Sequence, residues 1–551
     1  MKKKAVSLFL VLALMVGVLA GCGAQSQTPE TQAPAQTQAP AQTQTQEQPA
    51  PADEVTSGHP GVFTMAVNTI PDSLRPNGMD DDKLSVVRPV YEPLFAETKD
   101  GFEYYLADSV KLSDDGLTYT VHINDKATWS DGEPITVQDI LFSMEYEGLA
   151  TGGVTSYNNV DGAAVTFNAV DDKTLEIVLP QVFDVYTQTL SLFYPMPSHV
   201  FGNDPTTVDA STHFGAAGMV TSGAYTVAEY NTDSLVFEAR SDYYRGQPQV
   251  QKVVMKTIGA GATKQLAFEN GEIDCMRVTT AQDLEKYAVM PDQYNIFVLP
   301  EARLNYLQVN PKAAVLSTLS EDARKAVFLA LDGAEIVDIA YGSDMLAVPA
   351  NSLLTPEQSL YNPDCAGYTR NLEEAKKLAD ASGLTGQTLT YIYNSDRANM
   401  EEVATVIQQQ LAAIGVNVNI EGLDSMNFFR RFYDFGDEAA ASSWDLATNG
   451  WDSERGTHPG KAYNFMTNRN FYVKTGFSEE LVTMIKEASA NPDAQQKQAA
   501  WKQIQDQALA EYMEYPLTYT NYVIVAHKYV EGLDGSDIVP EFIDYLPIVV
   551  K

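Results

Sequence analysis

Residue types able to do covalent or metal chemistry are few in this chain and poorly spaced for it. The six histidines, His59, His122, His199, His213, His458 and His527, include no pair at metal-ligand spacing and no HExxH segment. A hydrolytic serine would need the strained GxSxG turn that exposes its hydroxyl, and none is present. Gly259-Ala260-Gly261-Ala262-Thr263-Lys264 has the glycines of a phosphate loop without the GxxxxGK[ST] spacing, so it is expected to turn the chain into a helix. Cys275 and Cys365 have neither metal nor redox spacing; a disulfide and two buried thiols both fit them. A catalytic acid pair could hide among 73 acidic residues, because separation in sequence says nothing about separation in space. A hydrolase therefore stays open as an alternative, but no enzyme activity, cofactor or metal is expected.

One cysteine is placed for chemistry. Met1-Lys2-Lys3-Lys4, an apolar run from Ala5 to Val18 and Leu19-Ala20-Gly21-Cys22 follow the order of a secretory signal, residues 1–21. The run is too short, and wrongly flanked, to persist as a membrane-spanning helix. Leu19-Ala20-Gly21-Cys22 resembles the bacterial lipobox, in which the cysteine sulfur is acylated and the cysteine becomes the new first residue. Cleavage at ordinary small residues, with Cys22 a free thiol, is the alternative. Removal of three lysines takes the formal charge from -37 to -40. Such a chain would not adhere to anionic lipid unaided, so acyl chains at Cys22 would have to hold it there. Residues 22–58 then form the tether: 23–57 are Gln, Thr, Pro and Ala-rich without an aromatic, Lys or Arg, and cannot bury enough apolar surface to offset chain entropy. As flexible coil this stretch would reach on the order of 30 Å.

The rest of the 551 residues must position whatever the protein handles, and the length allows two to four domains. With 44% hydrophobic and 20% charged residues the body has the composition of an ordinary globular protein. The excess of 73 acidic over 36 basic residues, without a basic patch, argues against nucleic acid. Short strands alternate with punctuated helices, which points to an α/β or mixed α+β fold. Leu117, Tyr119, Val121 and Ile123 alternate after the turn Asp115-Gly116. Thr136 with Asp139, and Asn371 with Glu374, are capping pairs, the second helix stopping at Gly383. Val403, Ile407, Leu411 and Ile414 form one stripe ending at Gly415, after which Val416 to Ile420 restarts as a strand. Ser478 opens a helix carrying Met484, Ile485 and Ala488, and Lys497, Trp501, Ile504, Ala508 and Tyr512 form a further stripe.

Several segments, in this order, resemble the extracytoplasmic solute-binding proteins of peptide and nickel ABC importers, family 5. They are Leu106-Ala107-Asp108-Ser109, Asp114-Asp115-Gly116-Leu117-Thr118-Tyr119, Trp129-Ser130-Asp131-Gly132-Glu133-Pro134-Ile135-Thr136-Val137-Gln138-Asp139-Ile140 and Phe142-Ser143. Thr221 to Tyr225, Asp242-Tyr243-Tyr244-Arg245-Gly246, Gly271-Glu272-Ile273-Asp274, Arg324 to Asp332 and Gly415 to Ile420 continue the series. Asp131-Gly132 reads as a tight turn, Pro134 as a strand stop and Thr136 as a cap, so these residues are expected to build scaffold rather than touch ligand.

The resemblance implies a two-lobed clamshell with an extra inserted domain. Lobe I would combine 59–93, 217–303 and 516–551; domain II would be 94–216; lobe III would be 304–515. A monomer at the extracytoplasmic face of a bacterial membrane would capture a peptide or other small solute, such as an oligosaccharide or nickel chelate, and hand it to an ABC permease. A surface protein reusing the scaffold without transport is a further possibility. In peptide-binding relatives the ligand main chain is gripped by a first strand, here ending Asn68-Thr69-Ile70, and by a Gly-Trp segment, here Gly450-Trp451. An acid three residues after that Trp holds the ligand's amino group; the matching residue is Glu454, with Asp452 as its rival. Where the dipeptide-binding relative has a carboxylate-clamping arginine, this chain has Asn394, with Arg397 three residues on. Tyr306 and Tyr393 are further cleft candidates.

Overall fold

The computed structural model describes residues 60–551 apart from 77–84, 99–100, 151–153, 192, 260, 434–437, 453–465, 467–475 and 536–543. Its main sheet contains β1 (Val62–Val67), β2 (Tyr225–Tyr230), β3 (Ser234–Ala239), β4 (Lys252–Thr257), β5 (Cys275–Val278), β6 (Tyr294–Val309), β7 (Ala347–Pro349), β8 (Thr388–Asn394), β9 (Asn417–Leu423), β10 (Leu446–Asp452) and β11 (Glu514–His527). The strand order is β2-β3-β4-β1-β5-β11-β6-β10-β8-β9, with β7 on the flank of β11.

This order runs unbroken because two strands are very long. β6 has 16 residues and β11 has 14, so β6 extends roughly 50 Å at the usual rise. Their antiparallel ladder runs from Tyr294↔His527 to Gln308↔Glu514, and its register slips between Pro300 and Arg303. Ala302 there takes a positive φ of 46°. On one side of the slip β11 pairs with β5, Cys275↔Ala526 to Val278↔Val523. On the other side β6 pairs with β10, Arg303↔Asp452 to Val309↔Leu446. The slip thus separates two half-sheets that share two crossing strands.

Pairing directions place the ends of these half-sheets. β1 is parallel to β4 and β5, and β5 runs toward the slip, so the carboxyl ends of β1, β4 and β5 all point to it. β8 is parallel to β9 and β10, and β10 ends opposite Arg303, so the carboxyl ends of β8, β9 and β10 point to it from the other side.

The inserted region carries a separate antiparallel sheet, Ala107–Leu112, Thr118–Ile123, Thr174–Val178 and Thr166–Ala169. The expected alternation holds, with Tyr119, Val121 and Ile123 buried. Asp115 shapes the preceding turn by accepting from Leu117 N–H at 3.1 Å, and Gly116 supplies the φ of 72°. Helix α1 (Val137–Leu149) starts at Thr136, whose N–H donates to Asp139 Oδ2 at 2.9 Å. Asp139 is a hub: Oδ1 accepts from Ser198 N–H and Oγ–H at 2.9 and 2.8 Å, and Trp129 Nε1–H donates to Oδ2 at 3.3 Å. The WSDG segment is therefore scaffold, as its turn chemistry implies.

Helices α2 (Ala262–Glu269) and α3 (Ala281–Ala288) follow β4 and β5. The glycine loop enters α2 through Gly261, at φ 73°, as expected of a turn. Helices α4 (Leu372–Ser382) and α5 (Met400–Ala412) flank β8, with Asn371 capping α4 through Glu374 N–H and Gly383 ending it at φ 78°. Helix α6 (Ser425–Tyr433) follows β9, and α7 (Glu479–Ser489) and α8 (Ala494–Ala510) form an antiparallel pair before β11.

The apolar interior falls into three main cores. The first joins Phe63 and Met65 of β1 to Trp129, Ile140 and Phe193 of the inserted region. The second lies under the helices and includes Leu307, Tyr391, Ile407, Leu411 and Val523. The third includes Leu304, Tyr306, Trp451, Trp501 and Val185. Cys275 and Cys365 are buried free thiols, which settles the choice left open above. No helix among the described residues is long and apolar enough to cross a membrane.

Candidate functional site

Six carboxyl-terminal strand ends converge on the slip in β6 and β11, and ligands of open parallel sheets bind beyond such ends. From one side the chain leaves β1 through Asn68 and Thr69, both exposed, and Ile70, which packs on the first core. Beyond β5, Thr280 caps α3 through Asp283 N–H at 3.1 Å. Asn399, just before α5, donates Nδ2–H to Thr279 O at 3.0 Å, a direct tie between the two sides.

On the far side the β6/β10 register pairs Leu304 with Trp451 and Tyr306 with Asn449. These four residues share one face, with Asn449 Nδ2 3.5 Å from the Tyr306 hydroxyl. Trp451 and Tyr306 are both buried in the third core. Gly450 points to the opposite face. A Cβ there would sit 2.3 Å from Asn305 Oδ1 and 2.6 Å from Arg303 Nη2, because the Arg303 guanidinium donates to Asn305 Oδ1 at 3.1 Å across the glycine. Asn305 Nδ2 in turn donates to Thr518 Oγ1 at 3.0 Å. Gly450→Ala should therefore break this arrangement and cost about 1–3 kcal/mol, read as a fall in the chemical-denaturation midpoint; wild-type stability would reject the packing role.

Tyr393 is brought elsewhere. Its ring belongs to the core under the helices, and its hydroxyl lies against Gly422, where a Cβ would come within 2.6 Å. Burial, followed by the charges of Glu401 and Glu402, raises its pKa. The neighbouring Ile392 and Asn394 take the other face, Asn394 Nδ2–H donating to Ser425 Oγ at 3.0 Å. Tyr306 and Tyr393 thus do not share a wall. Arg397 follows β8, its guanidinium 6.0 Å over the Phe429 ring. Asp452 is the last residue of β10, opposite Arg303. Glu454 and Cys22 lie outside the described residues.

A group not anticipated from sequence occupies the slip itself. Arg277, near the end of β5, pairs with Glu301 at 2.8 Å and lies 4.1 Å over the Tyr522 ring. Thr520 Oγ–H donates to the other Glu301 oxygen at 2.7 Å. The available signal was Pro300-Glu301, which ends the apolar run Ile296-Phe297-Val298-Leu299. Asp274, in the GEID segment, instead pins the sheet: it accepts Thr64 N–H at 2.6 Å and the Tyr529 hydroxyl at 2.8 Å, while burial raises its pKa.

Among the described residues no group of three or more His, Cys, Asp or Glu could hold a metal ion. Strand ends brought together from two sides can read a solute by hydrogen bonds.

Relatives fit this geometry. The chain is 24% identical over 479 residues, covering 82% of it and 87% of the relative, to a probable D,D-dipeptide-binding periplasmic protein, DdpA, of Escherichia coli. The crystal structure of the ABC transporter substrate-binding protein CtaP of Listeria monocytogenes matches 90% of this chain and 99% of its own, at TM-score 0.79 and 27% identity. That of a putative peptide-binding protein, AppA, of Clostridium difficile matches 89% and 100%, at TM-score 0.77 and 26% identity. The mixed α/β fold is that of the periplasmic binding proteins, whose family 5 members are three-domain clamshells. The profile of bacterial extracellular solute-binding proteins, family 5 Middle, matches residues 101–472, more than half the chain, and the protein therefore belongs to this family of extracytoplasmic, non-enzymatic receptors that serve ABC transporters.

Proposed function

We propose that this receptor captures peptides in the gap between the two half-sheets and delivers them to an ABC permease while held to the membrane by acylated Cys22. The observation carrying the proposal is the convergence of six carboxyl-terminal strand ends on a slip in two shared strands. Bending at the slip would let the halves close on a solute without breaking either half-sheet. Binding energy would then become a closed shape that a permease can distinguish from the open one. In this reading lobe I is 59–93, 217–303 and 516–551, domain II is 94–216 and lobe III is 304–515. The chain leaving β1 at Asn68 to Ile70 and the backbone of Gly450 to Asp452 supply main-chain donors and acceptors, which suits an extended peptide. Names of relatives, a D,D-dipeptide binder and a peptide binder, support the same class. Asn394 is buried and tied to Ser425 where a dipeptide receptor would place an arginine, which favours longer peptides, or a solute without a carboxylate, over dipeptides.

Native mass spectrometry of the purified protein is expected to show masses above that of the chain, releasing intact peptides on denaturation. Release of sugars, chelates or cleaved products would reject the peptide reading. If Glu454 holds the ligand's ammonium, Glu454→Gln should weaken free-amine peptides on the order of 10-fold to 100-fold, since a charge-assisted bond becomes a neutral one. N-acetylated peptides should be much less affected; equal loss for both would remove that role.

A further inference from the structure

The two sides of the gap touch at a second place, away from the crossing strands. Phe183-Asp184-Val185, in the inserted region, packs against the corner between α7 and α8. Val185 is buried in the third core with Trp451, Ile485 and Trp501, and Phe183 packs beside it. Asp184 N–H donates to Ser489 O, the last residue of α7, at 3.2 Å. Its carboxylate meets Lys497 Nζ of α8 at 2.8 Å, with the two side chains only 10% and 17% exposed. Gly116 belongs to the same surface: a Cβ on it would lie 3.3 Å from Val182 and 3.6 Å from Pro492, between the helices.

The inserted region shares its core with β1, whereas α7 and α8 belong to the side of β10. Covalently and through packing, the 182–185 segment therefore travels with one half and α7 and α8 with the other. Any separation of the halves must part Asp184 from Lys497 and draw Val185 out of the core that holds Trp451.

The geometry points to a latch: Val185, an apolar tongue in the third core, holds the closed arrangement, and the Asp184 and Lys497 charges beside it permit closure only as a matched pair, so together they set how readily the receptor keeps its solute. This inference rests on the receptor reading above. The physical reason lies in desolvation. Parted, both charges regain water; joined, they are nearly dry and each depends on the other. The pair itself adds little net attraction, but a single charge left in the joined state is strongly disfavoured. Removing one partner should therefore favour the parted state, and removing both should restore closure. A residue that merely stabilised one half would not show that recovery.

Hydrogen exchange followed by mass spectrometry on the full protein tests this, with Lys497→Met, Asp184→Asn and the double variant, each alone and with a tryptic digest of casein. The single variants should exchange at least 10-fold faster over residues 180–190 and 486–500, with β1 unchanged, and should bind the digest on the order of 100-fold more weakly. The double variant should return toward wild type in both. If the digest protects the wild type and the single variants still exchange and bind like it, the latch is wrong while the receptor reading stands. If the digest alters exchange nowhere in the wild type, the peptide reading fails, and the latch with it.

Discussion

Replacing Arg245 by methionine is expected to cost about 3–5 kcal/mol of stability near neutral pH, the usual penalty for stranding a buried charge. Glu92, at the entry to the inserted region, is nearly inaccessible. It accepts from the Tyr243 hydroxyl, lies 2.9 Å from that of Tyr244 and meets Arg245 Nη1 at 3.3 Å. Arg245 also binds Asp544 at 2.8 Å and covers the Tyr105 ring at 4.4 Å. One guanidinium thus ties three distant stretches of chain together. Burial raises Glu92's pKa, and Arg245 is the largest influence opposing it. An acid whose pKa rises on folding contributes stability below its unfolded pKa and loses it as pH climbs through the folded value. Without Arg245 the rise is larger, so the deficit should widen from pH 5 to pH 8 and shrink when Glu92→Gln is added. Calorimetric scans of the single and double variants at both pH values check this; a deficit under about 1 kcal/mol with no pH trend would remove the charge-stranding account.

The second large effect is a gain. Glu514, the first residue of β11, is fully buried, no hydrogen bond or ion pair to its carboxyl occurs among the described residues, and burial pushes its pKa from 4.5 up to about 8. The folded protein holds a proton there that the unfolded chain releases, so stability falls as pH rises from about 4.5 to about 8. At 1.36 kcal/mol per pH unit the loss by pH 8 is on the order of 4 kcal/mol. Glu514→Gln keeps the shape, cannot ionise and should be more stable than wild type at pH 8, with the two converging near pH 5. Urea midpoints across that range decide it; parallel curves would mean that Glu514 is ionised in the folded protein.

Local features of this fold were legible and distant ones were not. Thr136 with Asp139, Asn371 with Glu374, and the stops at Gly383 and Gly415 each depend on residues within four positions, so side-chain type suffices to place them. The crossing strands were hidden because Pro300 and Glu301 break the alternation of β6, whose partner lies more than 200 residues away. The face that Tyr393 takes was not legible, because every residue of β8 after Thr388 is at least half-buried and burial on both sides leaves no alternation to mark the faces. Lys497 could be placed on an apolar stripe, but Asp184 stands 313 positions earlier, and nothing local names it.

Because β6 departs and β11 returns side by side, the whole stretch from 310 to 513 joins the remainder at a single doorway. A chimera that exchanges this stretch for that of a relative must match the two strand crossings, the edges of β6 and β11 that pair with β10 and β7, the Asn399–Thr279 tie and the Asp184 corner. Lineages of such receptors can therefore remodel one jaw while inheriting the other unchanged, which offers a short route to new diets.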